Sequence, residues 1–150
     1  MMIGGIRVPY EAGPVGHSDG DALLHALCDA MLGAAGLGDI GEHFPDTDER
    51  FKGASSARFV EAVLKMVTEK GLRVGNVDAD VYLEKPKLGT MKKEIRQKVA
   101  GLLGVEVDRV SVKARTMEGL GPIGEGRAYA AQVGITLLEA HDKSAPRQTE

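Results

Sequence analysis

Three stretches of the chain gather side chains able to hold a phosphate, a metal ion or a sugar. The first runs His17-Ser-Asp-Gly-Asp21-Ala-Leu-Leu-His25-Ala-Leu-Cys-Asp29. Projected at about 100° per residue, Asp21, His25 and Asp29 share one arc, roughly 145° from the arc of Leu23, Leu24, Leu27 and Met31. His25 therefore stands off the apolar stripe, and two readings stay open. One is a solvated face with i,i+4 support between charged groups. The other is a metal ligand, since imidazole nitrogen is a common zinc donor, but a catalytic zinc takes three protein ligands and His25 supplies one. His17 stands just before the helix, where free amides and the positive end of the dipole favour an anion, so it reads as a phosphate contact or as a plain loop histidine.

The second stretch is Asp39-Ile-Gly-Glu-His-Phe-Pro-Asp46-Thr-Asp48. Its aspartates either close side-chain turns beside Pro and Gly or accept hydrogen bonds from sugar hydroxyls. The third, Lys113-Ala-Arg-Thr116-Met-Glu118-Gly-Leu-Gly121, offers a hydroxyl, a carboxylate and exposed amides at the end of a strand. Those groups suit a diphosphate with a magnesium ion, although turn geometry alone accounts for such composition.

The elements that must position these groups follow from hydrophobic period and punctuation. Ile3–Val8 reads as a short strand. Ser18 is the expected N-cap of a helix over 20–35, stopped by Gly36 and Gly38, and Asp39–Gly53 reads as irregular surface chain. Ser55 or Ser56 caps a second helix whose Phe59, Val60, Val63, Leu64 and Val67 form one stripe. Val77–Leu83 alternates as a strand, Thr90 caps a third helix ending at Gly104, Val110–Arg115 alternates again, and Arg127–Leu138 is the last strand. Strands alternating with helices predict a layered α/β domain, although strand order cannot be read from spacing; the expected class is α+β, one unit over 1–138 with a mixed sheet and helices on one face, and a frayed polar tail over 139–150.

With 150 residues, 43% of them apolar, the chain suits one domain with a real core. A net charge of −3 gives no reason to expect nucleic acid as a partner. Cys28 is the single cysteine, so no disulfide can form within the chain, and a reducing cytoplasm or a plastid stroma is the expected location. Met1–Glu11 has nothing near the roughly 20 apolar residues of a membrane span, which argues against membrane insertion or secretion.

Several blocks, read in order, resemble the 2-C-methyl-D-erythritol 2,4-cyclodiphosphate synthase family: Gly4-Gly-Ile-Arg-Val-Pro-Tyr, His17-Ser-Asp-Gly-Asp-Ala-Leu-Leu-His25, Leu37-Gly-Asp-Ile-Gly, Phe44-Pro-Asp-Thr-Asp, Gly75-Asn-Val-Asp, Lys85-Pro-Lys-Leu and Thr116-Met-Glu-Gly-Leu-Gly. The resemblance implies a homotrimer with sites between protomers. It also implies cyclisation of a CDP-linked methylerythritol 2-phosphate with loss of CMP. Carried over by position, His25 would ligate zinc and Glu118 magnesium. His17 and Ser18 would border the phosphate, Asp46 would hold the methylerythritol hydroxyls, and Asp39 and Gly41 the ribose. Leu83, Pro86, Lys87 and Leu88 would form the cytidine and diphosphate pocket, with Thr116 on phosphate and Arg115 nearby.

The chain departs from the family pattern in three places. The family opens with a strand ending Asp-x-His, which supplies two zinc ligands; no Asp-x-His occurs here, and the expectation is a true start upstream of Met1. The alternative is a homologue that binds cytidine nucleotides without a complete zinc site. Gly124-Glu-Gly-Arg127 replaces the usual Arg-Gly-Glu-Gly, and Arg115 stands where a small hydroxyl residue is common. An unrelated metal-dependent phosphohydrolase is the reading that needs no family.

Overall fold

The computed structural model describes residues 1–11, 13 and 18–140. At its front Met2–Ile3 (β1) and Ile6–Arg7 (β2) pair antiparallel, so the stretch expected to be one strand is a hairpin. Gly4 and Gly5 make the difference: both have positive φ, as a two-residue turn between twisted strands requires. A Cβ on Gly4 would also stand 2.5 Å from Ile95 Cγ2, so the close approach of backbone to helix needs glycine there.

The first four α-helices among the described residues are Ala22–Ala34 (α1), Ile40–His43 (α2), Ser56–Glu69 (α3) and Met91–Leu103 (α4). The stripe expected on α3 is present, with Phe59, Val60, Val63 and Val67 buried. α4 stops at Gly104, whose φ of 65° gives the left-handed C-cap that glycine adopts without penalty. Thr90 precedes α4, but its side chain makes no capping bond.

The sheet has the order β4-β3-β5, formed by Leu72–Tyr82 (β3), Val110–Arg115 (β4) and Ala130–Glu139 (β5). β3 runs parallel to β4 and antiparallel to β5, which makes the sheet mixed as expected. β3 begins earlier than its alternation reveals, because a bulge between Val74 and Asn76 breaks the period of two. Val77, Ala79 and Val81 are buried under the helices, whereas Asp78 and Asp80 point to the open face, so α1, α3 and α4 cover one side.

One hydrophobic core joins α1, α3, α4 and the inner face of the sheet. β5 reaches Glu139, and the Ala140 N–H donates to the Gly71 carbonyl at 2.8 Å; the rest of the expected tail lies outside the described residues. Among the described residues no helix is long and apolar enough to cross a membrane.

Candidate active site

The cap of α1 is Asp21 rather than Ser18. Its carboxylate accepts from the Leu24 N–H at 3.1 Å and reaches back to the Gly4 and Gly5 N–H groups at 2.9 and 2.7 Å. Asp21 is thus one of two buried polar residues among those described, not part of a solvated face. Burial pushes its carboxyl above the ordinary aspartate range, with the amide bonds of Gly5, Leu24 and Gly4 pulling the other way. Asp29 at the far end of the same arc is exposed, and it accepts from the Ile40 N–H at 2.8 Å, which fixes α2 against α1.

His25 lies half-buried between them. Its Nε2 stands 2.9 Å from Ser56 Oγ and 3.2 Å from Ser18 Oγ. Ser56, the first residue of α3, is fully buried; its Oγ lies 2.5 Å from Asp19 Oδ1 and its N–H donates to Asp19 Oδ2 at 3.0 Å. The start of α1 is clamped from the sheet as well: the Tyr129 hydroxyl donates to the Gly20 carbonyl and accepts from the Ala22 N–H at 3.0 Å. Burial raises the Tyr129 phenol, so it remains a neutral donor and acceptor. His17, the other candidate from this stretch, lies outside the described residues.

All three phenylalanines of the chain converge beside this imidazole. Phe59 is 6.1 Å from His25 between ring centroids, and Phe44 and Phe51 close a triangle with it at 4.9 and 5.7 Å. The segment expected to be irregular is therefore anchored, by α2, by a turn of 3-10 helix at Glu49–Phe51 and by this aromatic wall. Asp39 caps α2 by accepting the Glu42 N–H, which is the structural half of its two readings, and Gly41 lies close enough that a Cβ would meet Asp39 Oδ1 at 3.3 Å. Asp46 is exposed between Phe44 and the Asp48–Arg50 pair.

The other candidates sit where β3 and β4 end. Leu83 donates its N–H to the Arg115 carbonyl at 2.9 Å, and Glu84 accepts the Met117 N–H at 3.3 Å, so the Leu83–Leu88 segment and the Thr116–Glu118 segment form one edge. Leu83 and Leu88 are buried, leaving Lys87 exposed between Pro86 and Leu88. The Thr116 hydroxyl donates to Glu118, which adopts φ 52°, a strained value for a residue with a side chain. The glycine loop behind it folds into Gly121–Gly124 (α5), where Gly124 packs so tightly on Gly119 that no Cβ would fit. Arg115 turns to the open sheet face and donates to Asp80 at 2.5 Å, beside Lys113. Burial of Asp80 works against its ionisation, but Arg115 and Lys113 prevail and hold it below the ordinary range. Arg127 pairs with Glu125.

Within one chain these candidates form two groups. Ser18 and His25 meet around Ser56 and Asp19; Leu83, Pro86, Lys87, Leu88, Thr116 and Glu118 share the sheet end. Among the described residues no hydrogen bond or ion pair joins Asp39, Gly41 or Asp46 to the second group. Nor do three His, Cys, Asp or Glu side chains among the described residues stand close enough to share a metal ion. The zinc expected on His25 needs two more protein donors, so the described donors do not make that site. Magnesium asks less, often one or two carboxylates completed by substrate phosphates, and exposed Glu118 beside Thr116 fits that demand.

The YgbB family model matches residues 1–138, from the front hairpin through Leu138 of β5. This chain belongs to the YgbB family. It is 53% identical over 137 residues to 2-C-methyl-D-erythritol 2,4-cyclodiphosphate synthase of Xanthomonas oryzae pv. oryzae, covering 91% of this chain and 84% of that protein. A solved 2-C-methyl-D-erythritol 2,4-cyclodiphosphate synthase in its CDP-bound form superposes with a TM-score of 0.84 at 36% identity, over 91% of this chain and 89% of that one. The bifunctional IspDF of Campylobacter jejuni matches with a TM-score of 0.88 at 40% identity; this YgbB-family chain covers 37% of its length.

Asp19, Ser56, Tyr129 and the phenylalanine wall were not legible as site residues. A serine pair at a helix start carries one faint signal: Ser55 caps α3, accepting the Ala57 N–H, which leaves Ser56 for another task. The Tyr129 clamp spans more than a hundred residues of sequence, and no local pattern announces it.

Proposed function

We propose that the chain is a 2-C-methyl-D-erythritol 2,4-cyclodiphosphate synthase, working as a homotrimer in the cytoplasm or a plastid stroma, with 1–138 as its catalytic domain. A 2-phosphate oxygen of the CDP-linked methylerythritol attacks the β-phosphorus. The bond from that phosphorus to the bridging oxygen breaks, and CMP leaves with the electron pair. Such a reaction asks the protein mainly for positioning and for neutralisation of charge. The observation that carries the reading is the 53% identity over 137 residues, 91% of this chain, to an enzyme of that name.

In this reading Asp39 and Gly41 take the ribose and Asp46 the methylerythritol hydroxyls. Leu83, Pro86, Lys87 and Leu88 take the cytidine and diphosphate, with Arg115 beside them. Ser18, His17 and Thr116 border the phosphates. Glu118 would hold magnesium, which supplies positive charge to the diphosphate when bound. That no hydrogen bond or ion pair among the described residues joins Asp39, Gly41 or Asp46 to the Leu83–Leu88 edge supports a site completed by a neighbour. So do the charged open face of the sheet and the exposed side chains of Met117 and Leu120.

A second reading is favoured by one observation, the lack of three clustered metal donors among the described residues. On that reading the chain is a trimeric binder of cytidine nucleotides without turnover. Incubation with the CDP-linked substrate and magnesium, with and without zinc, followed by phosphorus NMR, decides between them. Cyclic diphosphate and CMP are expected for the enzyme. Unchanged substrate together with saturable CDP binding by titration calorimetry supports the binder, and no CDP binding sinks both.

Glu118→Gly separates chemistry from stability. Glycine tolerates φ 52°, so the unfolding free energy is expected to stay within about 1 kcal/mol of the parent. Loss of the carboxylate is expected to cut CMP release by about 100-fold. A large drop in melting temperature with unchanged turnover would mark Glu118 as structural.

A further inference from the structure

We infer that Asp19 and Ser56 are positioning residues that hold His25 in its Nε2–H form, leaving Nδ1 as the lone-pair nitrogen of the ring. The argument is a count of protons. The Ser56 hydroxyl has one to give, and two acceptable partners lie within reach: Asp19 Oδ1 at 2.5 Å and His25 Nε2 at 2.9 Å. A carboxylate can only accept, so the shorter contact must carry the Ser56 proton; placed on the imidazole instead, it would leave a hydroxyl lone pair facing a carboxylate oxygen at 2.5 Å. With that proton on Asp19, the contact to His25 is a hydrogen bond only if Nε2 is the donor.

Ser18 agrees with this assignment. Its Oγ accepts from the Gly20 N–H at 3.3 Å and lies 3.2 Å from Nε2, within reach of the same N–H as a second acceptor. Asp19 is itself fixed: its carboxylate takes the Ser56 and Asp21 N–H groups, and its own N–H donates to the Ala54 carbonyl at 3.2 Å. The hydroxyl is rigid because Ser56 is fully buried at the head of α3. Among the described residues Nδ1 has no hydrogen-bond partner. The network thus turns one ring nitrogen inward as a donor and presents the other to whatever occupies the site, as supporting shells do for working histidines. It holds whether or not the chain turns over substrate.

The test is the ring nitrogen spectrum of metal-free protein labelled with 15N-histidine, at about pH 8, where an ordinary imidazole is neutral. The His25 signals are assigned by their loss in His25→Gln. The expected pattern is pyrrole-type for Nε2 and pyridine-type for Nδ1, without the averaging of a free ring. An averaged or Nδ1–H pattern overturns the inference with no further variant needed. Ser56→Ala, folded by its dispersed amide spectrum, is expected to lose the pattern, Ser56→Thr to restore it, and Ser18→Ala to retain it. Retention in folded Ser56→Ala, or loss in Ser18→Ala, overturns the role of Ser56.

Discussion

Asp21→Ala is expected to lower the unfolding free energy by about 3–5 kcal/mol, since a lost N-cap costs about 1 and each stranded buried amide about 1–3. Three N–H groups lose their acceptor together: Leu24 in the first turn of α1, and Gly4 and Gly5 in the front hairpin. The Gly4 and Leu24 bonds are buried and the Gly5 bond partly so, which leaves water little access to replace the lost acceptor. Urea unfolding followed by circular dichroism measures the loss; a change under 1 kcal/mol would show that the hairpin is not held through this carboxylate.

The same residue predicts a sign for the pH dependence. Its folded pKa is raised, mainly by desolvation, above the ordinary 3.8. Between those two values the folded state binds more protons than the unfolded one, so this group's contribution to stability falls as pH rises through the window. Asp21→Asn lacks that fall. Its deficit relative to the parent is therefore largest at the acid end of the window and narrows as pH rises through it, and a deficit that widened instead would contradict the burial of an ionisable group there.

Leu24→Ala is expected to cost about 3–5 kcal/mol, the upper part of the range for truncating a buried leucine. Leu24 has no exposed surface and belongs to the central cluster. α1 packs on β5 to one side and on α3 to the other, so neither neighbour can move inward to fill the void without opening the other contact. For a domain of this size the melting temperature should fall by about 2–4 °C per kcal/mol. Calorimetry showing a fall of only a degree or two would mean that the core relaxes around the gap. Leu64→Ala, on the half-buried edge of the α3 stripe, is the natural comparison and is expected to cost less.

Much of the frame was legible before folding was considered. The 3.6-residue stripes of α1 and α3 and the alternation of β4 are local, and each element buries the face that its own spacing marks. The layered α/β class follows from alternating strands and helices, and the order of blocks from Gly4 to Gly121 suffices to mark the family; that the sheet is mixed was decided by the antiparallel pairing of β5 with β3. The errors fell where local signals compete. Ser18 and Asp21 are both good caps by type. Asp21 wins because only its carboxylate reaches both α1 and the Gly4–Gly5 turn. The bulge in β3 hid the first half of that strand, because a single inserted residue reverses the alternation from which strands are read.

From the order of residues alone came the elements, the fold class, the family blocks and the candidate list, since all of these depend on spacing along one chain. Tertiary structure alone decided which candidates meet. Ser56 and Asp19 reach His25 because α1 and α3 start side by side, and Tyr129 closes the same corner from the sheet. Among the described residues no hydrogen bond joins Asp39 or Asp46 to Glu118, for the same kind of reason: hydrogen bonds act over about 3 Å, and which groups come within that distance is set by packing between distant segments.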